Sequence, residues 1–401
     1  MSEFQYYEFL AVDQPLSTEQ MRELRAISTR AQITPTRMTN TYTFGDFKGD
    51  PAELVTSYFD AHVYVANWGT HELILGFHRQ AVDVDHLKQY AVEANSGYVS
   101  GLTVVERGDR VLVTFAYSDE DGGGGWLEEG EAEGWMPSLI QLRADILNGD
   151  LRAMYVGWLA GATYNPSEDE DDEFDEDDEE EDGGDPHPSG QLEPPVPPGL
   201  ARLSAPLRSL TEFLSLDTAT VAVAAERSGT LAATQPSAPA IAGWVGGLPS
   251  DEKDALLVRV IQGETSVGAE LLRRIRADTG MTGASPVAEG TPRTARELAT
   301  AGAERANELD QRRQASEARK RQEYLESLVG KEGALWQRVE EFIDQKQARP
   351  YDEAVDLLKT LRDLAAYRQQ ALAFTERLSA LRLRHKSKVS FVQRLDKTGL
   401  R

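Results

Sequence analysis

Residues 1–165 switch repeatedly between two spacings of apolar side chains. Short runs rich in apolar and β-branched side chains, which are typical of strands, occur at residues 4–12, 39–44, 62–66, 72–77, 100–106 and 110–117. Apolar positions at helical spacing occur at residues 17–28, 51–59, 83–90, 137–147 and 151–159. Because strands and helices mix without a regular alternation, we predict an α+β domain over residues 1–165 rather than a doubly wound sheet.

The pattern after residue 200 is helical throughout. Residues 200–277 predict a small helical domain, and residues 278–293, rich in Gly, Pro and Thr, predict a linker. Residues 294–401 begin with a stretch that is polar on all sides, which predicts a long, exposed, charged helix. Two stronger apolar stripes follow on either side of Arg349-Pro350 and predict an antiparallel helical hairpin. The C-terminal half is therefore predicted to be all-α.

Residues 166–199 separate the two halves. Acidic side chains fill the first part of this segment, which has no basic residue, and prolines dominate its end. Neighbouring carboxylates lie about 3.5 Å apart along the chain, well inside the Debye length of about 8 Å at physiological salt, so they repel one another. Since almost nothing apolar is available to bury, we predict a disordered, acidic and proline-rich linker.

Composition narrows the class of protein. The chain has 401 residues, enough for two or three domains, and a formal net charge of −25 that is concentrated in the first half and the linker. The absence of cysteine excludes a disulfide framework, a thiolate zinc site and a cysteine nucleophile. The first residues lack the pattern of a signal peptide, and no apolar stretch approaches the roughly 20 residues that span a bilayer. We therefore expect a cytoplasmic protein without membrane association.

The N-terminal half offers one thin cluster of ligand-type side chains. Asp60, His62 and His71 fall on or beside neighbouring predicted strands, where a carboxylate and two imidazoles could form part of a metal site. The turn at Asn67 and Trp68 between them is a candidate ligand loop. The structural alternatives are that the histidines are ordinary strand residues and that the turn is a hairpin with an aromatic anchor. No P-loop, nucleophile elbow or His-Glu-x-x-His motif is present, so the sequence favours a protein without enzyme activity and gives no reason to expect a cofactor.

The C-terminal half offers a candidate interaction surface. Its apolar part needs either a core or a partner to cover it and consists of Leu335, Trp336, Val339 and Phe342. Its basic part lies at the end of the chain and consists of Arg382, Arg384, Lys386, Lys388, Arg394 and Lys397. Cations interleaved with apolar side chains suit contacts with phosphates or with an acidic protein surface. The alternative is a solvated helix end whose cations complement the helix dipole.

Several short stretches are similar to those of an uncharacterised bacterial protein family. The stretches are Tyr6-Tyr7-Glu8-Phe9, residues 25–31, Tyr58-Phe59-Asp60-Ala61-His62, residues 248–254 and Tyr351-Asp352-Glu353-Ala354. The resemblance covers most of the chain outside the linkers. It implies a bacterial cytoplasmic protein, and it carries no activity and no site residues.

These patterns lead to one functional hypothesis and two alternatives. Flexible linkers, an unpaired polar helix and apolar stripes favour a non-enzymatic interaction or scaffold protein that bridges macromolecular partners of unknown identity. The first alternative is a nucleic-acid-associated protein whose basic end is screened by the acidic run. The second is an enzyme or ligand-binding module in the N-terminal domain.

Overall fold

A computed structural model describes residues 4–92, 101–118, 132–164, 190–231, 236–280 and 291–400. The chain divides into two compact units, Met1–Ala306 and Asn307–Arg401. Each unit has its own hydrophobic core. The predicted disorder over residues 166–189 lies outside the described residues.

The first unit is built on a seven-stranded antiparallel sheet. Its strands are β1 (Gln5–Leu10), β2 (Gln32–Ile33), β3 (Arg37–Tyr42), β4 (Ala61–Ala66), β5 (His71–His78), β6 (Gly101–Arg107) and β7 (Arg110–Tyr117). The spatial order is β2-β3-β1-β4-β5-β7-β6. Short hairpins join β4 to β5 and β6 to β7, as the alternating patterns and the glycine turns predict.

The described residues of the first unit also form helices. They are α1 (Thr18–Ile27), α2 (Pro51–Ser57), α3 (Val84–Lys88), α4 (Trp135–Leu139), α5 (Gln141–Leu147), α6 (Arg152–Thr163), α7 (Ala205–Phe213), α8 (Thr218–Ala225), α9 (Ala238–Gly247), α10 (Ser250–Ile261) and α11 (Val267–Thr279). Ser17 and Gln20 have the Ser-x-x-Gln spacing that predicts a capping box, and the box is present at α1, where the two residues satisfy each other's backbone amides. Asp50 caps α2 and Pro51 begins it. The N-terminal domain is therefore α+β, as the sequence predicts.

The strand register sorts the side chains onto two faces of the sheet. Tyr7, Tyr64 and Glu72 are paired across β1, β4 and β5 and lie on what we call the first face. The first face packs against α1 and α2. The second face packs against helices α4 to α8 in the larger core. Gly157 lets α6 approach this face closely, because a Cβ at that position would lie 2.7 Å from the Phe115 ring.

The predicted small helical domain is not separate from the sheet domain. Leu207, Leu210 and Phe213 of α7 belong to the same core as the second face of the sheet. An amphipathic stripe shows that a helix must bury one side, but it does not show which surface covers that side. The boundary predicted at residue 200 therefore does not mark the edge of a compact unit.

The last ten residues of the predicted linker, 190–199, are packed against the first unit. Leu192 forms a β-bridge with Thr294. Glu193 is nearly buried, with 3% of its side chain exposed, and receives two hydrogen bonds from Arg293 at 2.6 and 2.8 Å. The Tyr155 hydroxyl donates to the same carboxylate at 2.5 Å. A paired, hydrogen-bonded carboxylate stabilises order here, although the composition of this segment predicts disorder.

The second unit is all-helical, as predicted. A long helix, α12 (Ala295–Leu328), begins in the first unit and ends in the second, followed by α13 (Glu332–Asp344), α14 (Ala348–Tyr367), α15 (Ala371–Arg384) and α16 (Val389–Lys397). The pairing of α13 with α14 confirms the predicted hairpin, whose shared core includes Trp336, Val339 and Leu358. Pro350 lies in the first turn of α14 and does not break it. Among the described residues, no helix combines the length and the apolar character needed to cross a membrane.

Candidate functional site

The structure does not bring the predicted metal ligands together. His62 pairs with Ile74 and His71 pairs with Val65 across the β4–β5 hairpin, so the two imidazoles project from opposite faces of the sheet. Within the described ranges, no group of three or more His, Asp, Glu or Cys side chains is arranged to hold a metal ion. The proposed grouping of Asp60, His62 and His71 is therefore not supported by their positions.

Asp60 ties three segments of the first unit together. Its carboxylate accepts hydrogen bonds from the amides of Val12 and Asp13 at 2.8 Å and from Arg110 at 2.9 Å, and Arg143 lies 3.6 Å away. Burial alone would raise the pKa of Asp60, but Arg143, the Asp13 amide and Arg110 outweigh it and hold the pKa below its usual value. This arrangement indicates a structural role.

His71 and the turn that precedes it are also structural. The ring of His71 stacks on Phe213, and its Nδ1 lies 2.8 Å from the Phe213 carbonyl oxygen, to which it donates. Burial lowers the pKa of His71, so the imidazole is neutral at physiological pH. Asn67 accepts a hydrogen bond from the Phe4 amide at 2.9 Å, and Trp68 occupies the hairpin turn. Gly69 closes that turn at a φ of 93°.

A cavity of about 300 Å³ opens on the first face of the sheet, where α1 and α2 do not cover it. We call it the sheet cavity. Its floor consists of small or apolar side chains and two hydroxyls, from Ile74, Gly101, Thr103, Leu112, Thr114 and Ala116. Its walls include the start of α2, with Asp50, and the end of β6, with Arg107. Glu72 is the one carboxylate that reaches the cavity from the strands among the described residues.

Glu72 and His62 form an unusual pair beside the sheet cavity. Burial, reinforced by the negative charge of Asp50, raises the pKa of Glu72 to about 7. His62 is fully buried between Phe9 and Tyr7, and burial lowers its pKa to about 3. Its Nδ1–H donates to the Glu8 carbonyl at 3.0 Å, whereas Nε2 has no hydrogen-bond partner among the described residues and lies 3.9 Å from Glu72 Oε1.

Strand alternation gives a weak sequence signal for Glu72, which belongs to no recognisable motif. In an alternating strand, residues 72, 74 and 76 share one face, and the neighbours of Glu72 on that face are Ile74 and Gly76. A carboxylate that shares a strand face with apolar residues lies either at an open edge of the sheet or in a cavity. Only the register of β4, β5 and β7 decides between these two positions.

The basic end of the chain is largely neutralised by acids of its own unit. Arg384 and His385 both contact Glu340, and Lys388 contacts Asp344 at 2.9 Å. Arg394 contacts Asp352 at 2.6 Å, and Arg382 contacts Asp396 at 2.7 Å. Lys386 and Lys397 are exposed. Most of the predicted phosphate-binding cations are therefore already paired within the molecule.

The apolar part of the predicted interaction surface is mainly core. Trp336 and Val339 are buried, and Leu335 and Phe342 pack against the same cluster. Arg377 lies over the Trp336 ring, 4.6 Å from its centroid, and covers it further. This stripe is therefore covered by α14 and α15 instead of being open to a partner.

Helix α10 presents an exposed apolar surface, although aliphatic side chains at helical spacing over residues 250–261 predict a buried face. Two of its charged side chains face α11, where Glu252 accepts from Arg274 at 2.6 Å and Arg259 donates to Glu270 at 2.8 Å. Four of its aliphatic side chains are exposed and form what we call the α10 ridge: Leu257 (59% exposed), Val258 (51%), Val260 (55%) and Ile261 (83%). No residue of α9 or α10 is buried.

The α10 helix is nevertheless held in place. Trp244 of α9 donates to Asp278 of α11 at 2.8 Å, and the Arg274 guanidinium lies over the Trp244 ring at 5.3 Å. Helix α11 is anchored in the first unit by its buried residues Val267 and Ile275. Polar and cation–π contacts therefore fix the α9–α10 pair with its aliphatic side outward.

Comparisons with known proteins give no match. No protein-family model, no curated protein and no solved structure corresponds to the chain. A function must therefore be argued from the cavity, the ridge and the charges described above.

Proposed function

We propose that the protein is a non-enzymatic interaction protein that binds another polypeptide through the α10 ridge. The observation that supports this proposal is the arrangement of α10, in which Glu252 and Arg259 face α11 while four large aliphatic side chains are exposed. A surface helix normally has the opposite arrangement. Contiguous exposed apolar surface on a soluble protein commonly marks a docking site.

The energy available from covering the ridge is large enough for recognition. Complete burial of a Leu, Val or Ile side chain is worth about 1.5–3 kcal/mol, and the ridge has four such side chains that are at least half exposed. Leu257, Val258 and Ile261 follow the spacing of one helical stripe, which suits a partner helix with aliphatic side chains at the same spacing.

Charge indicates what kind of partner helix fits. Asp251 and Asp254 are exposed at the start of α10, and Asp254 precedes Leu257 by three residues on the same side of the helix. The whole chain has a net charge of −25. We therefore propose a partner whose aliphatic stripe is flanked by Lys or Arg, since a second copy of this acidic chain would be repelled.

The test compares captures by the full chain and by variants from an extract of the cells that produce it. We expect a discrete protein to be retained by the wild type, lost by Leu257→Ser/Ile261→Ser and weakened by Asp251→Lys/Asp254→Lys. The matched control is Leu372→Ser/Leu383→Ser in the second unit, whose side chains are 83% and 70% exposed, and it should retain the same protein. Equal capture by the ridge variant and the wild type would contradict the proposal.

Two further measurements would show that something other than a basic partner helix binds the α10 ridge. If light scattering shows that the purified chain is a dimer and that the ridge variant is a monomer, the ridge binds a second copy and the basic partner is wrong. If the chain binds neutral lipid vesicles through the ridge, the surface is a membrane contact and the proposal fails.

A further inference from the structure

We propose that the sheet cavity binds a small organic cation, an amine with an apolar body, and that Glu72 is its counter-ion. This site is independent of the α10 ridge. The cavity volume of about 300 Å³ suits a small ligand. Gly101 and Ala116 are paired across β6 and β7 and line the cavity with little side-chain volume, while Ile74 and Leu112 supply apolar contact.

The charges around the cavity favour a positively charged ligand. Glu72 is accessible, with 30% of its side chain exposed, and no Lys or Arg of the described residues lies within ion-pair distance of it. In the part of the chain that the structure describes, the one basic group that approaches it is His62, which is held neutral by burial and cannot supply a positive charge. At the rim, Arg107 is 3.9 Å from Asp50, so its charge is opposed by that carboxylate. A ligand ammonium group would give Glu72 the cationic partner that the described residues do not provide.

The two threonines of the cavity floor would orient the ammonium group of the ligand. Thr103 and Thr114 are paired across β6 and β7, and a single pair, Leu102 with Phe115, separates them from Gly101 and Ala116. Their hydroxyls can accept hydrogen bonds from the remaining ammonium protons, because a hydroxyl oxygen has two acceptor lone pairs. A primary amine therefore fits better than a quaternary one, which has no N–H to donate.

Binding of a cation should release a proton. Among the described residues, the titratable groups next to Glu72 are His62 and Tyr64 on β4 and Asp50 at the start of α2; Arg107 on β6 lines the same cavity, and the partner of Glu72 on β7 is the uncharged Ala116. His62 stays neutral, and burial raises the pKa of Tyr64 further above its usual value, so of His62, Tyr64 and Glu72 it is Glu72 that changes charge near pH 7. A bound ammonium favours the ionised carboxylate and lowers its pKa.

The sign of the pH dependence follows from this coupling. At pH 6 most Glu72 in the free protein is protonated and must lose its proton for the ion pair to form. At pH 8 most of it is already ionised. With a free-state pKa of about 7, the apparent affinity for the amine should be about tenfold higher at pH 8 than at pH 6.

The test is calorimetric titration of the full chain with phenethylamine and butylamine at pH 6, 7 and 8, in two buffers of different ionisation enthalpy. We expect about half a proton to be released per amine at pH 7, with affinity rising about tenfold across the series. Glu72→Gln should abolish both the release and the pH dependence. Glu53→Gln, which removes an exposed carboxylate of α2, is the matched control and should behave as the wild type.

Three results would overturn the proposal. These are the absence of binding by either amine, equal binding of the neutral alcohols of the same shape, and unchanged binding in Glu72→Gln. Thr114→Leu provides a second variant that fills the floor while keeping Glu72, and it should block binding without changing the circular dichroism spectrum. Retention of binding in Thr114→Leu would place the ligand outside the sheet cavity.

Discussion

Asp60 illustrates how one buried carboxylate can hold a fold together without taking part in chemistry. Its carboxylate accepts hydrogen bonds from two backbone amides and one guanidinium, and a second guanidinium lies nearby. Removal of the carboxylate would leave Arg110 and Arg143 with less compensation in a buried site. The cost of breaking such a buried network is about 3–5 kcal/mol.

We therefore predict that Asp60→Ala lowers the free energy of unfolding by about 3–5 kcal/mol, measured by urea denaturation. Because the pKa of Asp60 is depressed in the folded state, its contribution is present above the unfolded-state pKa and is lost as the pH falls through the folded-state pKa. Asp109→Ala, at an exposed turn, serves as the control. Equal stability of both variants would show that the network has no structural role.

Arg276 leads to the opposite expectation. One of its terminal nitrogens donates to the Leu147 carbonyl at 2.6 Å, whereas Nη1 has no hydrogen-bond partner among the described residues. Burial lowers the pKa of this guanidinium, and no carboxylate of the described residues offsets the effect. A buried cation without a counter-ion is costly, so replacing it with an apolar side chain of similar length removes that cost.

We predict that Arg276→Met changes the free energy of unfolding by less than about 1 kcal/mol or increases it. The measurement is the same urea denaturation, with Arg143→Met as the comparison, because Arg143 makes two hydrogen bonds to Asp13 and should be strongly destabilised on replacement. A loss above about 3 kcal/mol in Arg276→Met would show that the guanidinium has a partner that stabilises it.

At the residue scale, local rules predict more than long-range ones. The Ser17–Gln20 capping box depends on neighbouring backbone and could be predicted from the sequence. The grouping of His62 with His71 could not be checked without the register, because a shift of one residue moves a side chain to the other face. The sequence does not identify Glu72 for the same reason, because the burial of its side chain depends on strands that are distant in sequence.

At the element scale, the basic end of the chain shows that composition alone overstates a charged surface. The pairs formed by Glu340, Asp344 and Asp352 bring acids from α13 and α14 to cations that lie about 40 residues later in the chain. The sequence indicates the cations, but it does not indicate which carboxylates meet them. This pairing weakens the case for nucleic-acid binding.

We predict that the triple variant Glu340→Gln/Asp344→Asn/Asp352→Asn binds duplex DNA more tightly than the wild-type chain, with a steeper dependence on salt, because it exposes unpaired cations. Fluorescence anisotropy over a range of salt concentrations measures both. Since exposed ion pairs contribute about 0–1 kcal/mol each, the variant should remain folded. Tight, salt-sensitive binding by the wild type would contradict the view that its basic end is neutralised.

Some features of the other helices and strands could be predicted from the sequence, and others could not. The strands and most helices follow from the spacing of apolar side chains. The break between α14 and α15 does not, because it falls at Gln369, which adopts a left-handed φ of 57° without a glycine or proline to signal it. The outward side of α10 was also not predicted, since an aliphatic stripe normally indicates a buried face.

At the scale of the whole molecule, two units with separate cores imply separate unfolding. Leu75 is fully buried in the core of the first unit, and Leu358 is fully buried in the core of the second. We predict two transitions in calorimetric unfolding of the full chain. Leu358→Ala should lower only one transition and Leu75→Ala only the other, each with a loss of about 2–5 kcal/mol. A single transition that both variants lower equally would show one cooperative unit.

The two halves of the molecule could be predicted from the sequence, but the true boundary could not. The sequence places a division at the acidic run, whereas the structure assigns residues up to Ala306 to the first unit. Helices α7 and α8 complete the covering of a sheet that begins two hundred residues earlier. Long-range packing of this kind has no signature in local spacing or composition.

Recognition of another polypeptide through the α10 ridge is tested most directly by photo-crosslinking. A photoreactive side chain is placed at Val258 of the full chain, and at Leu383 as the control, in the cells that produce the protein. The ridge should give a discrete crosslinked product to another protein at position 258 and not at position 383, and the product should disappear in Leu257→Ser/Ile261→Ser. No product at position 258, or the same product at both positions, would contradict docking at the ridge.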